Sequence, residues 1–291
     1  QLTWALLDGA REPFFSIVLS IVFPPYFVAT IAADPVTGTA QWGYMLATSA
    51  VILVILAPVA GVVVNASERP RTWIAALVLI AAFSLLGLWP GTHGKSTPIL
   101  VLVLCVTAYV SIELTRVFTD SLVTKVAQSD EIARMSGIAV GVGFASTFLF
   151  LAVIALASQT SLPSTLSGGI ERASTAATGI WLFVLVLPFL FCFPHTQKSD
   201  VLKRTEPPTT FANQLHGVLR LLTDDPELTK FLLARMVYWD GVMALFAFLT
   251  ILATTTLGWG TTELTTFGLL GLLGGASAGM VAGRVDARLG A

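Results

Sequence analysis

The 291 residues are 55% hydrophobic and only 11% charged, with a net charge of −1 and a mean hydropathy of +0.83. A single soluble core cannot absorb that much apolar surface, so lipid must solvate a large share of it. No basic run and no aromatic–basic interleaving gives a footprint for nucleic acid.

A membrane-spanning helix needs about 20 mostly apolar residues. Eight stretches meet that need, at 4–32, 41–64, 72–89, 98–125, 135–158, 177–194, 228–256 and 264–283, and they predict an all-α membrane bundle. The polar breaks include Asp34 to Gly38, Asn65 to Arg71, Gly91 to Thr97 and the Ser-, Thr- and Gly-rich stretch 159–176. The break 195–227 is longer and densely charged. Within it Phe211, Leu215, Val218, Leu219 and Leu222 recur at helical spacing, which reads as a short amphipathic helix. Asp225-Pro226-Glu227 then reads as an N-cap, a first-turn proline and a first-turn acid that start the seventh span.

Lysine and arginine placement sets the orientation. With the N-terminus inside, the inner segments hold Arg69, Arg71, Lys125, Arg134, Lys198, Lys203, Arg204, Arg220, Lys230, Arg284 and Arg288, whereas the outer ones hold only Lys95 and Arg172. Both ends of the chain are therefore expected in the cytoplasm. Six spans, a cytoplasmic linker and further spans is the layout of a duplicated transporter, with units at 1–194, 195–227 and 228–291. Leu7-Asp8-Gly9 in the first span and Trp239-Asp240-Gly241 in the seventh form a short internal repeat.

Charges inside the spans are the main functional signal, because each costs at least ~2.5–3.5 kcal/mol at the bilayer centre. Asp8, Arg11 and Glu12 share one face of the first span, where Pro13 removes the backbone donor to the Gly9 carbonyl and frees it for another partner. Glu113, Arg116 and Asp120 share a face of the fourth span at pairing distance. Arg235 and Asp240 lie about 140° apart on the seventh and need partners elsewhere. Each group has a bland reading beside the functional one: residues near a span end can reach interfacial water, and ion pairs can simply tie helices together. Gly137, Gly141 and Gly143, and Gly268, Gly271, Gly274, Gly275, Gly279 and Gly283, mark close helix packing.

No enzyme or metal constellation is visible, and no cofactor is implied. His93, His195 and His216 fall in breaks without ligand spacing, and Cys105 and Cys192 lie in apolar runs that give no disulfide signal.

Trp4-Ala-Leu-Leu-Asp8-Gly-Ala-Arg11-Glu-Pro-Phe-Phe, Phe23-Pro-Pro-Tyr-Phe27, Asp34-Pro-Val and Gln41-Trp-Gly-Tyr44 closely resemble the start of one branch of the major facilitator superfamily. That branch holds the autophagy-related vacuolar amino-acid effluxers of fungi and their bacterial relatives. Ala57-Pro58-Val-Ala-Gly61, Val117-Phe118-Thr119-Asp120-Ser121-Leu122 and Tyr238-Trp-Asp240-Gly241 resemble its second, fourth and seventh spans.

The resemblance implies twelve spans in two parallel six-span repeats, of which eight are present here. The abrupt start at Gln1, without methionine, and the end at Ala291 read as a truncation. It also implies a secondary transporter of the bacterial inner membrane that moves a small solute, with amino acids the class implied, by alternating access; the transport is expected to be either proton-coupled or facilitative. Asp8, Arg11, Glu113, Arg116 and Asp240 are then the solute- or proton-binding residues. Arg69, Arg71, Asp286 and Arg288 belong to gating loops after the second and eighth spans, although Asn65 replaces the acid usual in the first of these. A non-transporting scaffold or receptor with structural ion pairs is the competing reading.

Overall fold

The computed structural model describes residues 2–67, 70–89, 98–126, 129–160, 169–192, 220 and 223–289; for 2–5, 65–66, 121–126, 129–137, 192 and 276–289 it describes the backbone alone. The predicted amphipathic helix at 211–222 and Arg69 therefore lie outside the described structure, apart from Arg220.

The first span is not one regular helix. It starts as α1 (Leu2–Pro13), widens into a π-helical segment over Phe14–Ile21, bends at Val22, and continues through α2 (Phe23–Tyr26) and a second π-helical segment over Phe27–Ile31. Pro13 supplies no N–H, and beyond it the ladder reaches one residue further. The Val22 amide donates to the Ile17 carbonyl at 3.1 Å, and the Ala32 amide donates to Phe27 at 2.9 Å.

The long helices follow as α3 (Pro35–Ala66), α4 (Pro70–Gly87), α5 (Pro98–Val126), α6 (Ser129–Ser158), α7 (Gly169–Cys192), α8 (Pro226–Leu257) and α9 (Thr261–Leu289). Seven stretches, from the first span through α8, are long and apolar enough to cross a membrane among the described residues. α9 is the eighth expected helix.

Local chemistry accounts for several helix ends. The Asp34 carboxylate accepts from the amides of Val36 and Thr37, both at 3.0 Å, ahead of Pro35 in the first turn of α3. Asp225 accepts from the Leu228 amide at 3.0 Å ahead of Pro226, as its sequence indicates. Gly258, with φ of 69°, ends α8 in the left-handed conformation, and Glu263 reaches back to the Gly260 amide at 2.9 Å to open α9.

Two boundaries differ from expectation. α7 begins at Gly169, so residues 169–176 are helix and not the loop read from their small polar side chains. Arg172, expected in an outer loop, is thereby a buried helical residue, 3% exposed. The stretch around Asp286 and Arg288, expected as a gating loop, continues the helical backbone of α9 to Leu289. Arg71 lies in the first turn of α4.

The first span is the hub. α1 packs on α6 and α7, while the π-helical segment 14–21 meets α7, α8 and α9. Its side chains Phe14, Ile17, Val18, Phe23 and Phe27 are almost wholly buried. α3 and α8 lie at the other extreme, with only 17% and 22% of their apolar windows buried, so Val51, Val54, Phe231 and Val237 point outward as lipid-facing residues do.

Candidate functional site

The charges predicted on the first and fourth spans meet at one end of the bundle. Arg11, 4% exposed, pairs with Asp8 one turn below on α1 and crosses to α5, where its Nη1 donates to Thr119 Oγ1 at 3.1 Å. Thr119 in turn donates to the Arg116 carbonyl at 2.9 Å. The charges of Arg11 and Arg116 both bear on Glu12, Glu113 and Asp120. The cluster thus holds four carboxylates and two guanidiniums on two helices.

The two arginines are held differently. Arg11 is locked between Asp8 and Thr119. Arg116 lies 3.8 Å from Asp120 with both side chains more than half exposed, the geometry of a loose pair. Toward the middle of the bundle an aromatic layer follows. Phe15 packs edge-on against Phe14 at 5.4 Å and against Tyr109 of α5 at 6.1 Å.

The backbone beneath the cluster is also fixed. The Gly9 carbonyl, freed by Pro13, accepts from Ser146 Oγ of α6 at 2.5 Å and from Trp181 Nε1 of α7 at 3.0 Å; Trp181 also reaches Ser146 Oγ at 3.0 Å. The freed group therefore ties three helices together. Glycine allows this close approach, since a Cβ on Gly9 would stand 2.9 Å from Val142 Cγ1 and force it to shift. Opposite it, Gly143 leaves room for Glu12, whose Cγ would meet an added Cβ at 2.7 Å.

Among the other predicted packing glycines, Gly268 abuts Ile21 and Leu151, whereas Gly141, Gly271, Gly274 and Gly275 face open space. Gly137, Gly279 and Gly283 lie where only backbone is described.

Asp240 and Arg235 are exposed on α8, and neither makes a hydrogen bond or ion pair among the described residues. The structure does not bring Asp240 to the Asp8–Arg11 cluster. α8 and α9 instead touch the rest of the bundle from the 14–21 segment toward the opposite end. Thr250 donates to the Ser20 carbonyl, Thr261 donates to the Glu171 carboxylate, and Ser158 and Thr262 hydroxyls lie 3.1 Å apart.

That opposite end also holds Arg172, whose guanidinium sits 5.8 Å from the Tyr26 ring centre. Reading 159–176 as a loop hid Glu171 and Arg172 as helix-borne groups. The Pro13 signal identified the freed carbonyl, but nothing local in sequence named Ser146 and Trp181 as its donors.

A helical hub with broken turns, charges gathered on facing spans and lipid-facing flanks defines a multi-pass membrane protein of the major facilitator type. The sequence profile described as vacuole effluxer Atg22-like matches residues 118–291, more than half of the chain, and the chain belongs to that family. It is 25% identical over 251 residues to an uncharacterised transporter of the major facilitator type, YxiO of Bacillus subtilis (strain 168). That alignment covers 82% of this chain and 56% of YxiO, so the chain spans little more than half of its relative's length. No solved structure matches the chain.

Proposed function

We propose that the protein is a proton-coupled secondary transporter of a small solute, with amino acids the favoured class, working by alternating access in the bacterial inner membrane. One observation carries this reading: Arg11, almost fully buried, joins the first span to α5 at the centre of a group in which four carboxylates face two guanidiniums. If all are ionised, two negative charges are in excess. Protons or a solute amine relieve that excess, and a loosely held Arg116 is free to take a solute carboxylate or a new carboxylate partner.

In this reading Arg11 and Asp8 form the fixed part of the site, and Glu113 and Arg116 the exchangeable part. The charged end faces the cytoplasm, as the lysine and arginine bias requires. The hydrogen bonds from α8 and α9 then lie on the outer side, and the conformation is closed outward. Asp240 joins the cluster when α8 swings toward the charged end, and Arg69, Arg71, Asp286 and Arg288 act at the inner surface as the halves rock.

The test is saturable flux of radiolabelled amino acids by the intact protein in proteoliposomes. Saturation with concentration supports transport. Flux no greater than in empty vesicles, from a monodisperse folded preparation, favours the scaffold reading, in which the Arg11 bridge only ties helices.

A further inference from the structure

The end of the bundle remote from the charge cluster contains a buried guanidinium that forms no ion pair among the described residues. Arg172 is 3% exposed, and its Nε–H has no hydrogen-bond partner. Its guanidinium overlies the Tyr26 ring at 5.8 Å from the centre. A cation–π contact offsets part of the cost of burying a guanidinium, but it leaves the charge unneutralised.

The local acids are all committed elsewhere. By the predicted topology only Asp34, Glu171 and Glu263, of seventeen acidic residues, belong to this end. Asp34 caps α3, Glu263 caps α9 through the Gly260 amide, and Glu171 accepts from Thr261. None forms an ion pair with Arg172. Other buried polar atoms at this end are unpaired as well: Gln41 Oε1, Trp42 Nε1 and Thr254 Oγ1. Four of the five buried side-chain polar atoms that lack a hydrogen bond among the described residues therefore belong to this end.

We propose that Arg172 is a binding residue for a solute carboxylate at the outer end of the path, shut off in this conformation by the clasp of Glu171 with Thr261 and Ser158 with Thr262. This rests on the transport reading above. A planar guanidinium whose Nε–H is unpaired among the described residues suits a carboxylate, which can accept from that edge of the fork through paired hydrogen bonds. The clasp begins one residue before Arg172 and consists of side-chain hydrogen bonds between α6 or α7 and α9. In this proposal α9 swings away, which breaks those side-chain bonds without unfolding any helix and opens a route to Arg172.

The experiment is phenylglyoxal modification of the intact protein, read at Arg172 by peptide mass spectrometry. It compares wild type with Thr261→Val, which removes the hydroxyl given to Glu171. Modification of Arg172 should be slow in wild type and several-fold faster in Thr261→Val. A mixture of neutral L-amino acids should protect it, whereas the corresponding amino-acid amides, sodium chloride and inorganic phosphate at equal ionic strength should not.

Arg172 that stays unreactive in Thr261→Val, or that is not protected by carboxylates, overturns the proposal. Equal protection by phosphate overturns the carboxylate assignment. In flux assays Arg172→Gln should raise the half-saturation concentration for outside solute at least tenfold and abolish preference for amino acids over their amides. An unchanged preference in a folded Arg172→Gln variant also overturns it. Absence of flux in wild type instead defeats the transport reading, and the wild-type protection data separate the two.

Discussion

Arg11 and Arg116 stand within one cluster, yet their surroundings assign them different energetic roles. Arg11 is buried and doubly held, so Arg11→Ala leaves Asp8 without its partner and should cost about 3 kcal/mol of stability. Arg116→Ala breaks only a half-exposed 3.8 Å pair and should change stability by less than about 1 kcal/mol. Thermal unfolding in detergent checks the contrast, and equal losses would contradict it.

Asp34 gives a second residue-scale prediction. The Thr37 hydroxyl, with the Thr37 and Val36 amides, holds its carboxyl below the usual range. A carboxylate lowered in this way contributes stability above its unfolded value of about 3.9 and loses it as pH falls through the folded value. The stability gap between wild type and Asp34→Ala should therefore stay constant from neutral pH to about pH 5 and close in stronger acid. A gap that widens below pH 4 would contradict the cap. The same Asp-Pro start was legible at Asp225 and overlooked at Asp34, where the short break between apolar runs masked it.

At the scale of elements, the first span shows why sequence patterns stop short. Its length and hydropathy were readable, and so was the carbonyl that Pro13 frees. The use of that carbonyl depends on Ser146 and Trp181, more than 130 residues away, and no local pattern encodes such a contact. Either donor alone keeps the carbonyl satisfied, so Ser146→Ala should cost about 1 kcal/mol. Pairing it with Trp181→Phe should cost more than the sum of the singles, because an orphaned buried acceptor adds about 1–3 kcal/mol. Strict additivity in a double-mutant cycle would argue against the shared bond.

Gly9→Ala should destabilise by about 1–3 kcal/mol, since Val142 is β-branched and stiff and must shift to admit the methyl. The start of α7 was missed for a different reason. Its first turns are Ser-, Thr- and Gly-rich, a composition that normally marks loops, and their helical state goes with burial in the bundle, where Ser174, Thr175 and Thr178 satisfy their hydroxyls on the Glu171, Arg172 and Ser174 carbonyls.

For the whole molecule, the spans, their order and the grouping of charges on one face of the first span and one face of the fourth were legible because hydropathy and helical periodicity are strong, local signals. Placement between distant elements was not. Asp240, matched to Asp8 by a short repeat, lies exposed on α8, while the contacts of α8 and α9 with the hub begin at the 14–21 segment and run away from the charge cluster.

The central claim is that this cluster couples protons to solute movement. Its most direct test is amino-acid accumulation by the intact protein in proteoliposomes under an imposed pH gradient, compared between wild type and Glu113→Gln. The account predicts that wild type accumulates solute against its gradient only while the pH gradient lasts. Glu113→Gln should exchange solute but fail to accumulate it. Gradient-driven accumulation at wild-type rates in Glu113→Gln would contradict the role of the cluster.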